Sequence, residues 1–240
     1  MLVFVFGTDF YKRNRVHDVV IACEKQVGIL LQITPVSDII IPVPNGGIHM
    51  FLQTERLILR EFCASDFEDV HAYASDYENV KHMMFGPNTP EQTRDYLERQ
   101  CVEEMLAEPR MHYNIALVEK SSGTVLGGIS FHMNWRRDDA ILGGIMNRNF
   151  AGKGYMTEGL RGVMEIAFSQ LKLHRIHAVC DVDNIAMLRV FERVGMRNEG
   201  RMVKRGKARP EAKEPYFDQF GLAILREEWL DNQQGNHSES

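Results

Sequence analysis

The sequence predicts an α/β domain, and three observations lead there. Short strand-like runs occur in both halves of the chain: Leu57 to Phe62 reads as a strand with both faces partly covered, and Ile176, Ala178 and Cys180 alternate against His177 and Val179. Amphipathic stripes of helical period lie between those runs, with helix-starting residues at Thr89 and Asn184. Between an apolar run at 140–146 and a long amphipathic segment at 154–171 stands Asn149-Phe150-Ala151-Gly152-Lys153-Gly154-Tyr155-Met156-Thr157-Glu158. This stretch reads as strand, glycine-bearing turn and helix. The first amides of a helix have no intrahelical partner and carry the positive end of its dipole, while glycine lets a ligand come close to the backbone. Such a turn can hold a phosphate. An ordinary strand-to-helix connection is the competing reading of the same residues.

Taken in order, residues 1–49 show apolar fragments without a shared period, the later ones broken by Pro35, Pro42 and Pro44. They read as short strands of an extra module, as a poorly ordered extension, or as a translated leader. The leader reading rests on the genetic code. Gly46-Gly47 can be encoded by a ribosome-binding GGAGG, and the codons for Ile48 and His49 then separate it from Met50. Met50 is the expected first residue on that view, with a domain over 51–229 and a flexible polar tail over 230–240.

From Thr54 the pattern sharpens. Leu57, Leu59 and Glu61 alternate with Ile58, Arg60 and Phe62 in a strand. Ser65 or Asp66 is expected to cap a helix that carries Phe67, Val70, His71 and Ala74 on one stripe. Thr89-Pro90-Glu91-Gln92 predicts a capping box with proline in the first turn. That helix runs through Tyr96, Leu97, Cys101 and Met105 until Pro109 stops it. Strands follow at 112–119 and 125–133, joined by the turn Ser121-Ser122-Gly123. Asp138 and Asp139 precede the strand that enters the glycine turn. After the central helix come a strand at 173–181, a helix opened by Asn184 and closed at Gly195, and strands at 196–204 and 216–225. The charged stretch between the last two, 205–215, reads as a mobile loop.

Bulk composition narrows the function classes. With 44% hydrophobic and 25% charged residues the chain can bury a sizeable core. A net charge of −5 gives no basic footprint for nucleic acid, and the basic cluster Arg201 to Arg209 reads as a solvated edge. Cys23, Cys63, Cys101 and Cys180 show no C-x-x-C spacing and read as reduced thiols. The apolar start, residues 1–6, is too short for a signal-peptide core, and no stretch reaches membrane-spanning length. The expectation is a cytoplasmic protein, monomer or homodimer, without nucleic-acid or membrane partners.

The element order together with four stretches resembles the GNAT acetyltransferase superfamily, and within it the ribosomal-protein N-terminal acetyltransferase branch. Thr54-Glu55-Arg56-Leu57-Ile58-Leu59-Arg60 is similar to that branch's opening strand, and Asn149 to Glu158 to its acetyl-CoA pyrophosphate loop. Asp181-Val182-Asp183-Asn184-Ile185-Ala186 is similar to its second cofactor motif, and Glu192-Arg193-Val194-Gly195-Met196 to the helix end that follows. The resemblance implies a strongly curved mixed sheet with helices on both faces, split between its fourth and fifth strands, with acetyl-CoA in the split. It implies that Ile145 and Met146, with the backbone about Gly144, meet the pantetheine arm. It places the pyrophosphate on Ala151, Gly152, Lys153, Gly154 and Tyr155 beside Asn149, with Asn184 on the pantetheine. Asn184 also reads as a plain helix cap, and Lys153 as a solvated loop lysine. The implied activity is acetyl transfer from acetyl-CoA to a primary amine, either a protein N-terminus or a small molecule.

The chain departs from that pattern where protons move. Many relatives carry a glutamate base on the fourth strand, and the matching residue here is Ile141. The usual acids are replaced as well, by Phe191 and Met187. Two accounts stand open: an enzyme that relies on positioning, with protons carried by water or by a residue from elsewhere, or an acyl-CoA-binding domain with little catalysis, acting as sensor or regulator. Substitute bases are His132, Asp138 and Asp139. His132 also reads as a packed strand residue, and Trp135 as either the acceptor entrance or a cover for the core edge. His174 and His177 have no carboxylate at ligand spacing, so no metal site is expected.

Overall fold

The structure, a computed structural model, describes residues 40–42, 48–50, 52–208 and 214–237. Residues 1–39, on which most of the leader reading falls, lie outside them, as do residues 209–213 of the expected mobile loop and the last residues of the expected tail, 238–240. Two short strands, β1 (Ile40–Pro42) and β2 (Ile48–Met50), pair antiparallel. The main sheet contains β3 (Leu52–Gln53), β4 (Leu57–Glu61), β5 (His112–Glu119), β6 (Val125–Met133), β7 (Asp139–Met146), β8 (Arg175–Asp181), β9 (Arg197–Lys207) and β10 (Tyr216–Leu225). Its spatial order is β3-β4-β5-β6-β7-β8-β10-β9, and every neighbouring pair is antiparallel except β7 with β8. A parallel pair needs a long crossover, and the central helix supplies it. The sheet is therefore mixed, as the resemblance implies.

Helices α1 (Phe67–Ala74), α2 (Tyr77–Val80), α3 (Pro90–Asp95) and α4 (Cys101–Leu106) stand between β4 and β5, with α3 running into α4 through a widened turn at Tyr96–Gln100. The crossover helix α5 (Tyr155–Glu165) continues through a similar turn at Ile166–Gln170. Helices α6 (Ile185–Arg193) and α7 (Arg226–His237) complete the fold. Strand alternation sends side chains to two cores. Leu57, Leu59, Leu117 and Ile129 pack with Leu160, Val163 and Met164 of α5, and Phe191 of α6 joins the same cluster. On the opposite face Phe62, Ala116 and Val118 pack with Val70, Tyr73 and Leu97, with Ile58 and Ile145 against them. The seam under α5 is tight: a β-carbon on Gly159 would lie 2.8 Å from a Leu117 methyl, and one on Gly162 2.8 Å from a Leu59 methyl.

Local chemistry explains several boundaries. Thr89 accepts from the Gln92 amide at 3.3 Å while the Gln92 side chain accepts from the Thr89 amide at 2.8 Å, the expected capping box. Neither Ser65 nor Asp66 caps α1 through its side chain. Asp66 is buried and engaged by Arg60 at 2.7 Å and by the Cys63 amide at 2.9 Å, because a buried carboxylate needs a charged partner more than a helix needs a cap. β9 reaches Lys207, beyond the expected end at Lys204, since pairing with β10 continues to Tyr216–Lys207. The polar stretch from Asp231, expected to fray, is helical through His237. Trp229, 4% exposed, anchors the first turn of that helix in the main core.

Candidate active site

The site begins where β7 and β8 part. Their parallel ladder holds three rungs, Asp139–Arg175, Ala140–Ile176 and Ile141–His177. β7 runs on to Met146 beside β6, and β8 to Asp181 beside β10, without further pairing to each other. A cleft at the carboxyl ends of parallel strands is where open α/β sheets take ligands. The glycine turn leaves the end of β7 and Asn184 follows the end of β8, so strand direction alone brings the two motifs to the same end of that gap.

The turn itself is exposed from Ala151 to Gly154. Asn147 opens it by accepting from the Asn149 amide at 3.0 Å, and the Ala151 amide donates to the Arg148 carbonyl at 3.1 Å. Ala151's amide is thus spent inside the turn. The amides of Gly152, Lys153, Gly154 and Tyr155 make no backbone hydrogen bond among the described residues, and they end in the first turn of α5. Gly152 and Gly154 have φ of +78° and +83°, angles that side chains resist. A β-carbon on Gly152 would meet no atom within 4 Å, so the space beside that backbone is open. These features fit a polyanion. The Lys153 ammonium lies 5.3 Å from the centre of the Phe150 ring.

A clamp holds the turn to the first long strand. Glu158 of α5 accepts from the Thr54 hydroxyl at 2.5 Å, the Arg56 amide at 2.7 Å and the Arg56 guanidinium at 2.7 Å, and Arg56 also donates to the Lys153 carbonyl at 2.9 Å. Burial pushes the Glu158 carboxyl up, but the hydrogen bonds from Thr54 and Arg56 outweigh it and hold the group below the usual glutamate range.

Helix α2 and the loop after it reach both lips of the gap. On the β7 side Asn79 donates to the Met146 carbonyl at 3.2 Å and accepts from the Arg148 amide at 2.7 Å, while Asp76 pairs with Arg148 at 2.8 Å. On the β8 side His82 meets Asp181 at 2.9 Å. Ile145 packs against the smaller core and Met146 against the larger one. Asn184 accepts from the Met187 amide at 3.2 Å, so its side-chain oxygen caps α6 and its side-chain amide nitrogen remains for a ligand.

Across the sheet, at the last rung before the gap, register builds a row of imidazoles. His112 pairs with His132, His132 with Ile141, and Ile141 with His177, so all four side chains share one face. The His112 and His132 rings lie edge to face with centres 4.2 Å apart. Glu104 of α4 reaches down to His112 at 3.1 Å and to the Asn114 side-chain amide. Burial pushes the His132 imidazole below its ordinary value, and the His112 ring beside it adds to the effect. Burial raises the Glu104 carboxyl, yet the bonds from His112 and Asn114 keep it below the ordinary range. On the other side of Ile141, His177 Nδ1 lies 2.7 Å from Asp139.

The sequence-named base candidates therefore part company. Asp138 belongs to the β6–β7 loop, accepting from the Asn134 side chain at 2.7 Å. Asp139 is the first residue of β7 rather than a residue before it, and it is paired to His177. His132 stands beside Ile141. Phe191 is 2% exposed in the main core, and Met187 packs against that core. Trp135 is 82% exposed, 5.1 Å from the Arg136 guanidinium. Sequence reasoning noted His177 but sought a partner only at metal-ligand spacing. The signal was available in the right-handed strand–helix–strand crossover, which lays the start of β8 beside the start of β7. Among the described residues no group of three His, Cys, Asp or Glu side chains could hold a metal ion. Cys63, Cys101 and Cys180 are buried, and no described helix is long and apolar enough to cross a membrane.

Comparison with known proteins adds the following. Residues 56–197 match the profile of the family described as Acetyltransferase (GNAT) domain. The chain is 30% identical over 180 residues, 75% of its own length and 99% of the relative's, to the uncharacterized N-acetyltransferase YnaD of Bacillus subtilis. It is similar to the crystal structure of a GNAT-family acetyltransferase from Bacillus anthracis, with a TM-score of 0.63 and 33% identity over 74% of this chain and 99% of that one. It also shares its fold with the ribosomal-protein-S5-alanine acetyltransferase of Vibrio fischeri, with a TM-score of 0.63 and 17% identity over 75% of this chain and 98% of that one.

Proposed function

The chain belongs to the GNAT acetyltransferase family and is an N-acetyltransferase that uses acetyl-CoA; from that premise we propose how its own residues bind the donor and receive the acceptor. The pyrophosphate rests on the amides of Gly152, Lys153, Gly154 and Tyr155, where the α5 dipole adds its positive end. The pantetheine arm runs along the β8-facing edge of β7 beyond the parallel ladder, past Ile145 and Met146, and meets the Asn184 side chain from the β8 side. The thioester then lies near Ile141, at the apex of the gap, and the acceptor amine reaches it over the imidazole row. The observation that carries this reading is the ladder that stops after Ile141–His177 while both strands continue toward the two motifs.

The acceptor is a primary amine, and the ribosomal-protein branch supports a protein N-terminus. Support for that branch comes from the motif stretches at 54–60, 149–158, 181–186 and 192–196. Holding amine and thioester together supplies about 7–11 kcal/mol of barrier reduction in ideal cases, so the loss of a glutamate at 141 does not silence the site. The test is an acetyl-CoA-dependent thiol-release screen across N-terminal peptides, polyamines, amino acids and aminoglycosides. Turnover confined to N-terminal peptides supports the acceptor assignment, and turnover confined to small amines contradicts it.

A further inference from the structure

We propose that His177 is the catalytic base of this enzyme and that Asp139 is the residue that positions it. The inference rests on the reading that the acceptor amine reaches Ile141. His177 is the β8 partner of Ile141 on the final rung, so its side chain shares the face of Ile141 at the point where the sheet opens. It replaces, from the neighbouring strand, the carboxylate that Ile141 lacks.

The pair has the chemistry for the role. Asp139 Oδ1 lies 2.7 Å from His177 Nδ1. A carboxylate only accepts, so Nδ1 carries the hydrogen and Nε2 keeps its lone pair for the amine. The Arg175 guanidinium lies 3.6 Å from the other oxygen of Asp139 and is itself shared with Glu199 at 2.5 Å. Side-chain exposures of 36% for His177 and 28% for Asp139 leave the ring reachable from solvent. His132 faces Ile141 from the opposite side, but among the described residues no hydrogen bond fixes its ring, since Glu104 holds His112 instead. The charged and titratable groups around His177 are thus Asp139 on β7, Arg175 on β8, Arg197 and Glu199 on β9, and His132 beyond Ile141; Ala223 of β10, between His177 and Arg197, is uncharged.

The step balances as follows. The acceptor arrives as an ammonium and gives one proton to His177 Nε2, making an imidazolium beside Asp139. The freed lone pair forms the N–C bond at the acetyl carbonyl, and the C–S bond breaks. The departing thiolate takes a second proton from that nitrogen, which keeps its third as the amide hydrogen. His177 returns its proton to water.

The test uses the full chain, with His177→Gln, Asp139→Asn and His132→Gln as variants. Calorimetry with acetyl-CoA reports binding, and thiol release with the best amine of the panel reports turnover. Nitrogen-15 NMR of the wild-type histidines reports the His177 tautomer, whether or not an acceptor has been found. We expect His177→Gln to lower kcat by about 10²-fold or more, with acetyl-CoA affinity kept within about twofold and the acidic limb of the kcat–pH profile lost. Asp139→Asn should lower kcat less and displace that limb, because it frees the tautomer without removing the ring. The wild-type spectrum should show His177 protonated at Nδ1 and bare at Nε2. A hydrogen on Nε2 overturns the proposal, as does full turnover with an intact limb in His177→Gln, or transfer of that limb to His132→Gln. Loss of acetyl-CoA binding in His177→Gln overturns it too, by making the residue structural. Failure of the donor site itself is read separately, from the loop variant Gly152→Asp.

Discussion

The proposed donor half of the site and its proposed proton-handling half are built differently. The donor half is a contiguous run, residues 149–158, whose proposed role rests on local backbone geometry: two left-handed glycines, four amides without a backbone hydrogen bond among the described residues, and a helix start. The other half has no local signature. His132, Ile141 and His177 come from three strands and meet only because of register. A binding site made of backbone depends little on which side chains it carries. A catalytic site made of side chains does not share that freedom, so the proposed site, with Ile141 where the resemblance implies a glutamate, draws its base from a neighbouring strand.

The largest expected effect breaks the donor half alone. Gly152→Asp puts a side chain at φ +78° and a negative charge against a pyrophosphate. Acetyl-CoA affinity by calorimetry should fall about 100-fold or more, with the thermal midpoint little changed. The next sharpens the contrast from the other side. Ile141→Glu restores a carboxylate between His132 and His177, and it should raise kcat by up to about tenfold with acetyl-CoA affinity unchanged. A loss of affinity with no gain in rate would place Ile141 on the donor path instead.

Smaller effects test the scaffold that joins the halves. Glu158→Gln weakens the clamp to Thr54 and Arg56 and should cost about 1–2 kcal/mol at neutral pH, discounted because Arg56 is 41% exposed. The native carboxyl is depressed, so its contribution is complete above the unfolded value and is lost as pH falls through the folded one. The gap between variant and wild type in denaturant melts should therefore be widest at neutral pH and close below about pH 4.3. Asn184→Ala should cost about 1 kcal/mol through the lost cap of α6, measured by thermal melt, and weaken acetyl-CoA binding by only a few fold.

How far each half could be read beforehand follows from the same contrast. Thr89 with Gln92, Asn184 with Met187 and the loop glycines act within a few residues, and capping and turn chemistry expose them in a single sequence. The Asp139–His177 pair spans 38 residues, and the Glu104–His112 contact joins a helix to a strand. Neither spacing means anything until strand pairing is known. Helix α2 was missed because it is a single short turn from Tyr77 to Val80, too brief for any periodicity, although Asn79 and the following His82 touch both lips of the gap. The polar composition from Asp231 carries no apolar stripe to signal the helix that runs to His237, and its anchor, Trp229, lies just before that stretch.

The central claim is that acetyl-CoA lies between the parted ends of β7 and β8 with its pyrophosphate on the glycine turn. Amide NMR of the full chain, titrated with acetyl-CoA, tests it most directly. The account predicts that the amides of Gly152, Lys153, Gly154 and Tyr155 shift most, followed by those of 142–146 and the side-chain amide of Asn184, while Ala151, already bonded to Arg148, moves less. Saturable binding that leaves Gly152 to Tyr155 unshifted would contradict it.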